Sequence, residues 1–386
     1  MASNEHKNTK NMKFNVSSTT LFAQLQSVSR VIASKNNKLP ILDSILFDLQ
    51  GQTLTLSASD EETAIRTSLE VENAEGAGKV AFDAKLLLGT LREFPEQPLT
   101  FTIDEQNFGL NITSANGTYS FIGTNGNEFP EMPEIAGESN RFEIAENTLL
   151  NAINRTLFCA ADDELRQVMN GLYFDLTPEQ VTLVATDAHR LVRYSNTTAH
   201  TDAPANFILP KKPALLLKNV LSKDDDPVEV IFGQKNARFS FGTTTIVCRL
   251  IDGRYPNYNG VIPQNNQNKV IIDRQMLINA CKRVAVFAHT GTSLLKLTLS
   301  ENNLNISAQD ISFYTSAEET LNCSYEGAPM SIGFKAPFLI ELLNNIDSDE
   351  VMLELADPAR AGLILPMENA ENENLLMLLM PLLLQD

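Results

Sequence analysis

His189 stands between Asp187 and Arg190 in the string ATDAHRL, and a carboxylate near an imidazole is the pairing that general-base chemistry uses. A reacting partner would have to join it. No serine, cysteine or metal-ligand cluster lies at a useful spacing, and the four cysteines, Cys159, Cys248, Cys281 and Cys323, are far apart with no CxxC pair. Neither a zinc site nor a disulfide framework is indicated, which fits a reducing compartment. The sequence therefore predicts no catalytic residue, no metal and no cofactor.

The elements that must position this string recur along the chain. A helical pattern appears in TLFAQLQSVSRVIA, TLLNAINRTLFCA and MLINACKRVAVFA, with Leu21, Leu149 and Leu277 aligned at steps of 128 residues. Paired β-patterned segments then close on Asp60, Asp187 and Asp310. A strand enters a second helix at Phe82, Leu209 and Phe334, and Phe129-Pro130, Tyr255-Pro256 and Met380-Pro381 end the three units. Asp60 and Asp310 occupy the place of Asp187 without a histidine beside them, which argues against catalysis.

A period of about 125 residues is the length of a domain, too long for a solenoid unit. The chain reads as three similar domains, 12–136, 137–263 and 264–386, after a polar stretch 1–11 that is expected to be a disordered extension or tag. The boundaries fall in the Pro- and Glu-rich EFPEMPEIAGES and the polar PQNNQN. Within each unit the order strand, helix, three strands occurs twice. That order predicts an α+β fold with helices gathered on one side of mostly antiparallel sheets.

With 386 residues, 43% of them apolar, burial is not limiting. No apolar run approaches the roughly 20 residues that a membrane-spanning helix needs, and no signal-peptide pattern opens the chain. The expectation is a soluble, cytoplasmic protein, with the tail LLMLLMPLLLQD forming a buried strand and a pocket wall.

A net charge of -18 argues against coating nucleic acid with the whole surface. Where the positive charge sits matters more than its sum. The two helices read in every unit carry Arg30, Lys85, Arg92, Arg155, Lys211, Lys212, Lys218, Lys282, Arg283 and Lys335 against few acids, chiefly Glu93 and Glu341, while acids cluster in connections at Glu61, Asp162, Asp224 and ENAENE. One basic face is predicted, able to attract phosphate without reading bases.

The strings LPIL (Leu39 to Leu42), ATDAHRL (Ala185 to Leu191), DGRYPNY (Asp252 to Tyr258) and the terminal Met380-Pro381 resemble those of the bacterial DNA polymerase III beta sliding clamp family. The resemblance covers Met12 to Leu384. It implies a head-to-tail homodimer of three-domain protomers, a ring with helices inside and sheets outside, encircling double-stranded DNA without sequence preference. The closing contact would join Tyr119 and Phe121 to Val286 and Phe287. Lys35 and Lys38 match a place where clamps touch DNA, although the family's usual arginine is absent.

The resemblance also implies a cleft for short peptide motifs of the DNA polymerase III alpha subunit, the clamp loader, other polymerases and mismatch-repair proteins. Carried over, its walls are Met169, Thr186, Ala188, His189, Arg190 and Leu191, then Pro256, Val261 and Ala359, and in the tail Leu378, Leu379, Met380, Pro381 and Leu382. Leu383 stands where the family often has a basic residue. Two other classes remain open to test: an acidic interaction scaffold that never meets DNA, and a multidomain hydrolase using His189 and Asp187.

Overall fold

Met12, Phe14 and Val16 alternate with polar residues, and the strand Asn11–Ser17 buries those three side chains. The structure, a computed structural model, describes residues 11–32 and 39–384. Asn11, assigned to the polar extension from sequence, opens this first strand and pairs with Asp104.

Six α-helices lie among the described residues, each starting directly after a strand. They are α1 (Ser18–Ser29), α2 (Ala84–Arg92), α3 (Glu146–Thr156), α4 (Lys211–Val220), α5 (Arg274–Ala285) and α6 (Ala336–Asn344). The last residue of the strand supplies the cap where chemistry allows it. Ser17 accepts from the Thr20 N–H at 3.2 Å, Asp83 from Leu86 at 2.7 Å and Asp273 from Met276 at 2.6 Å. Lys335 cannot accept, and α6 instead carries Pro337 in its first turn. The helices then bury one stripe: Leu21, Leu25 and Val28 in α1, and Leu277, Cys281 and Val284 in α5. α1 packs on α2 and on the strands behind them, as α5 packs on α6.

The chain divides into two compact units, residues 1–147 with 215–250, and residues 148–214 with 251–386. The first unit holds a five-stranded and a nine-stranded sheet, the second an eight-stranded and a four-stranded one. In the nine-stranded sheet Thr63–Glu70 of the first repeat pairs antiparallel with Thr244–Arg249 of the second, Ala64 opposite Val247. In the eight-stranded sheet Arg190–Asn196 of the second repeat pairs with Glu373–Leu379 of the third, Leu191 opposite Leu378. The central repeat thus shares its strands between two sheets. A strand edge with unpaired N–H and C=O groups gains hydrogen bonds by meeting another edge, so contacts cluster by sheet while sequence similarity clusters by repeat.

Cysteine chemistry follows from this burial. Cys248 and Cys281 are buried and free, and desolvation pushes each thiol up to about 12 from an ordinary value near 9. The unfolded thiols ionise near pH 9 while the folded ones stay neutral. Their contribution is therefore fully present below about pH 9 and is lost as pH rises towards 12. Urea unfolding at stepped alkaline pH is expected to show this decline, with Cys248→Ala reducing its slope. An unchanged slope in that variant would assign the decline elsewhere.

Candidate functional site

The ATDAHRL string folds as a tight turn between the strands Val181–Thr186 and Arg190–Asn196. Asp187 Oδ1 accepts the backbone N–H groups of His189 and Arg190, both at 2.9 Å. Thr186 closes the turn by donating its hydroxyl to the Arg190 carbonyl at 2.7 Å, and Ala188 adopts a positive φ of 72°. Asp60 and Asp310 make the same kind of turn, accepting from Glu62 at 2.7 Å and Ser312 at 2.9 Å. The three repeated aspartates are thus turn formers, and the carboxylate nearest His189 is already occupied. Among the described residues no group of histidine, cysteine and carboxylate side chains could hold a metal ion.

Arg190 is the strut of the site. Its Nε donates to Asp187 Oδ2 at 3.0 Å, Nη1 to Glu341 Oε2 of α6 at 2.6 Å, and Nη2 to the Phe158 carbonyl at 3.4 Å. The guanidinium also lies 4.6 Å from the centre of the Phe338 ring, which Lys335 Nζ approaches at 4.7 Å. The His189 ring stacks on the same phenyl at 6.0 Å. Burial pulls the Arg190 pKa down, but the bonds to Glu341 and Asp187 outweigh it and hold the charge firmly.

The tail completes the wall. Past the strand Glu373–Leu379, the Met380 N–H donates to the His189 carbonyl and the Leu382 N–H to the Gly333 carbonyl, both at 2.8 Å. Met380 is held with its side chain exposed, beside a groove of about 420 Å³ lined by Val261, Pro263, Ala359 and Ala361. Behind it Leu191, Leu378, Tyr255, Tyr258 and Ile262 form a buried cluster. Tyr255 stacks on Tyr173 at 4.6 Å and Tyr258 donates to Asp175 at 2.6 Å, which fastens the DGRYPNY segment over the sheet.

Of the cleft residues expected from sequence, Val261, Ala359 and Met380 line this groove. Ala188 and His189 sit exposed on the adjoining turn, with Pro381 and Leu382 half-buried nearby in the tail. Leu191, Leu378 and the fully buried Leu379 back the wall from within. Thr186 and Arg190 are buried in the turn network. Pro256 is half-buried in the fastening segment, and Met169 ends a short 3-10 turn whose neighbour Val168 packs on the cluster. Sequence reasoning missed Phe338, Glu341 and Phe158. Phe338 had a signal: it stands where the other two repeats have Leu86 and Pro213.

The basic residues separate into two groups. Arg30, Lys85, Arg92, Lys218 and Lys282 are exposed, and Lys212 is exposed as well. Others are committed within the chain: Arg155 to Asp347 and the Asn345 carbonyl, Lys211 to Asp162 at 2.8 Å, and Arg283 to Glu319 by two bonds of 2.7 and 2.6 Å. The helical bias is also weaker than the sequence suggested. Arg30 and Lys335 are the end caps of α1 and α6, and neither helix carries a basic residue inside its span. Lys35 and Lys38 lie outside the described residues.

The four self-association candidates are surface residues. Tyr119 is exposed with its ring edge-to-face on Phe94, and Phe121 is half-buried against Phe82. Val286 and Phe287 follow the end of α5, both exposed.

A thrice-repeated α+β unit with shared sheets and a groove at the second junction defines a three-domain clamp fold. Three consecutive family profiles match it: the N-terminal domain of the DNA polymerase III beta subunit over residues 12–133, the central domain over 143–257 and the C-terminal domain over 259–382. The chain belongs to the DNA polymerase III beta subunit family, the beta sliding clamps, and is a DNA sliding clamp. It is 28% identical to the beta sliding clamp of Haemophilus influenzae over 371 residues, 96% of this chain and all of that one.

A solved sliding clamp from Pseudomonas aeruginosa, bound to griselimycin, superposes with a TM-score of 0.91 at 28% identity, over 97% of this chain and all of that chain. Another from Bartonella birtlesii, also bound to griselimycin, gives 0.88 at 29% over the same shares. The scaffold reading without DNA is not favoured by these relatives, and membership of the family is consistent with a protein that is not an enzyme. Among the described residues no helix is long and apolar enough to cross a membrane.

Proposed function

We propose that two copies of this chain close head to tail into a ring around double-stranded DNA, helices inside and sheets outside, through the Tyr119–Phe121 and Val286–Phe287 surfaces. The observation that carries this reading is the clamp domain built three times over nearly the whole chain. The repeats 12–136, 137–263 and 264–386 are its three domains. A ring turns binding into topology, so tight phosphate contacts are unnecessary. The exposed Arg30, Lys85, Arg92, Lys218 and Lys282 would centre the duplex by contacts that carry no sequence information and weaken with salt.

The groove beside Met380, with the His189–Phe338 shelf, receives short peptide motifs. Its occupants would be the DNA polymerase III alpha subunit, the clamp loader, other polymerases and mismatch-repair proteins, in the cytoplasm. Two large apolar side chains seated there contribute roughly 1.5 to 3 kcal/mol each before ordering costs, which suits exchangeable partners of about micromolar affinity. Griselimycin, bound in two solved relatives, is the probe of choice for this site.

The test is retention on DNA of two topologies. After loading by a clamp loader, the protein is expected to stay on closed circular DNA through gel filtration and to leave when one cut linearises the circle. Equal retention on both forms, or on neither, would end the ring reading.

A further inference from the structure

We infer that the junction of the first and second repeats carries a peptide site of its own. The outer face of the nine-stranded sheet, under the connector 126–135, takes an extended segment that presents a tyrosine and, two residues on, a carboxylate. This site depends neither on ring closure nor on the groove beside Met380.

The two shared sheets can be compared residue by residue, because their registers agree. Thr67 points to α1, donating to Gln24 at 3.0 Å, so its neighbour Arg66 lies on the opposite, outer face. Across that face the nine-stranded sheet carries the row Leu46, Ser57, Arg66, Thr245. The eight-stranded sheet carries Tyr173, Val184, Arg193, Leu376 in the same order. One row on, Ala64 faces Val247 where Leu191 faces Leu378.

The second junction fills this face from within. Val184, Leu191, Leu376 and Leu378 are packed with Tyr255, Tyr258 and Ile262 of its connector, and the Tyr258 hydroxyl donates to Asp175 at 2.6 Å. The first junction has smaller or more polar side chains at the matching places. Its connector offers Met132 where the other has Tyr258, counted from Phe129-Pro130 and Tyr255-Pro256. Phe129 packs on Leu46 and Ala81, and a groove of about 810 Å³ remains between connector and sheet. That volume is in the range of ligand sites.

Groups that the second junction satisfies internally stay available in the first. Asp48 is the counterpart of Asp175 in the repeated string FDL. It holds Gln50 at 3.0 Å and Lys79 at 3.4 Å, and a carboxylate has capacity for a further donor. Arg66 is the counterpart of Arg193. Arg193 is half-buried and donates to Asn374 at 3.0 Å, whereas Arg66 is exposed and makes no ion pair among the described residues. Two strands beyond it Arg238 lines the same groove with a buried Nε that has no acceptor. Its pair with Glu229 is long, 3.8 Å, and Glu229 also holds Arg141 at 3.0 Å.

These groups set the occupant. Asp48 suits a phenol donor, as its counterpart receives one, and Arg66 with Arg238 suits a carboxylate. Asp48 and Arg66 stand two strands apart, roughly 10 Å at ordinary strand spacing. In an extended peptide, residues two apart share a face at about 7 Å, and the lengths of tyrosine and glutamate side chains cover the rest. The exposed Glu131 and Glu134 on the connector repel a polyanion, which disfavours a nucleic-acid strand.

The probe is the capped peptide Ala-Tyr-Gly-Glu-Ala, titrated calorimetrically into the full chain. A dissociation constant below about 1 mM is expected, weakened about fivefold or more by Arg66→Gln. Peptides with phenylalanine for tyrosine, or glutamine for glutamate, should each bind at least about threefold more weakly. Ser57→Val with Ala64→Leu installs the second junction's residues; it should abolish binding without lowering the urea midpoint. Met380→Ala should leave binding unchanged.

No binding at millimolar peptide, or a constant within about twofold of wild type in both Arg66→Gln and the filled variant, would overturn the site. If the filled variant does not fold, Arg66→Gln decides alone. Binding abolished by Met380→Ala would move the peptide to the other groove and overturn the inference equally. A phenylalanine peptide that binds as tightly as the tyrosine one would overturn the role of Asp48.

Discussion

Arg190→Ala is expected to lower the unfolding free energy by about 2–4 kcal/mol and, on the groove reading proposed above, to weaken binding of a partner peptide at least tenfold even in the folded protein. The guanidinium side chain is only 9% exposed, and one side chain joins the 187–190 turn, the Phe158 carbonyl and α6. Its removal strips Asp187 of its side-chain partner and leaves Glu341 without a counter-ion. Glu341 is 45% exposed and water can solvate it, so the cost falls below that of a fully buried pair.

Arg190→Lys separates charge from geometry. An ammonium is a point donor and cannot reach Asp187, Glu341 and Phe158 in the planar fork that the guanidinium presents, so only partial recovery is expected. Urea denaturation reads the first effect as a lower midpoint at unchanged slope. A midpoint shift worth less than about 0.5 kcal/mol in Arg190→Ala would mean that the turn and α6 are held by other contacts.

Phe287→Asp is expected to produce the largest functional loss. Phe287 and the more exposed Val286 form an apolar step after α5, and the ring reading buries it against the partner's first domain. Burying an unpaired carboxylate there costs several kcal/mol, which corresponds to a dimer constant weakened by about a thousandfold or more. Retention on closed circular DNA should vanish with it, because a ring that does not close holds nothing by topology. The protomer should keep its fold, read as an unchanged circular dichroism spectrum, since Val286 and Phe287 are surface residues of the isolated protomer. A tight dimer persisting in Phe287→Asp would put the closing contact elsewhere on the molecule.

Much of the fold was legible because local physics repeats. Leucines at three- and four-residue spacing marked where α1, α3 and α5 lie, while the caps Ser17, Asp83 and Asp273 that start α1, α2 and α5 were seen only in the structure. The aspartates at 60, 187 and 310 were found by alignment of the repeats, and all three proved to be turn formers. That role belongs to nearest neighbours in the chain, so sequence spacing alone points to it. The basic character of the helices was read less well. Composition counts a cation wherever it stands, but Arg155 and Arg283 are consumed by Asp347 and Glu319, partners 192 and 36 residues away.

By itself the sequence determined the threefold repeat, the α+β character and the strings that place the chain among the sliding clamps. These properties live in short-range patterns and in their recurrence. Only the tertiary structure decided that the central repeat gives its strands to two different sheets, that Arg190 is a strut, and that Met380 is pinned between His189 and the groove. Each of these depends on which strand edge meets which, and on bonds that join residues more than 100 positions apart. Edges of equal hydrogen-bonding capacity are chemically alike along the chain, so their pairing is chosen by the packing of whole sheets.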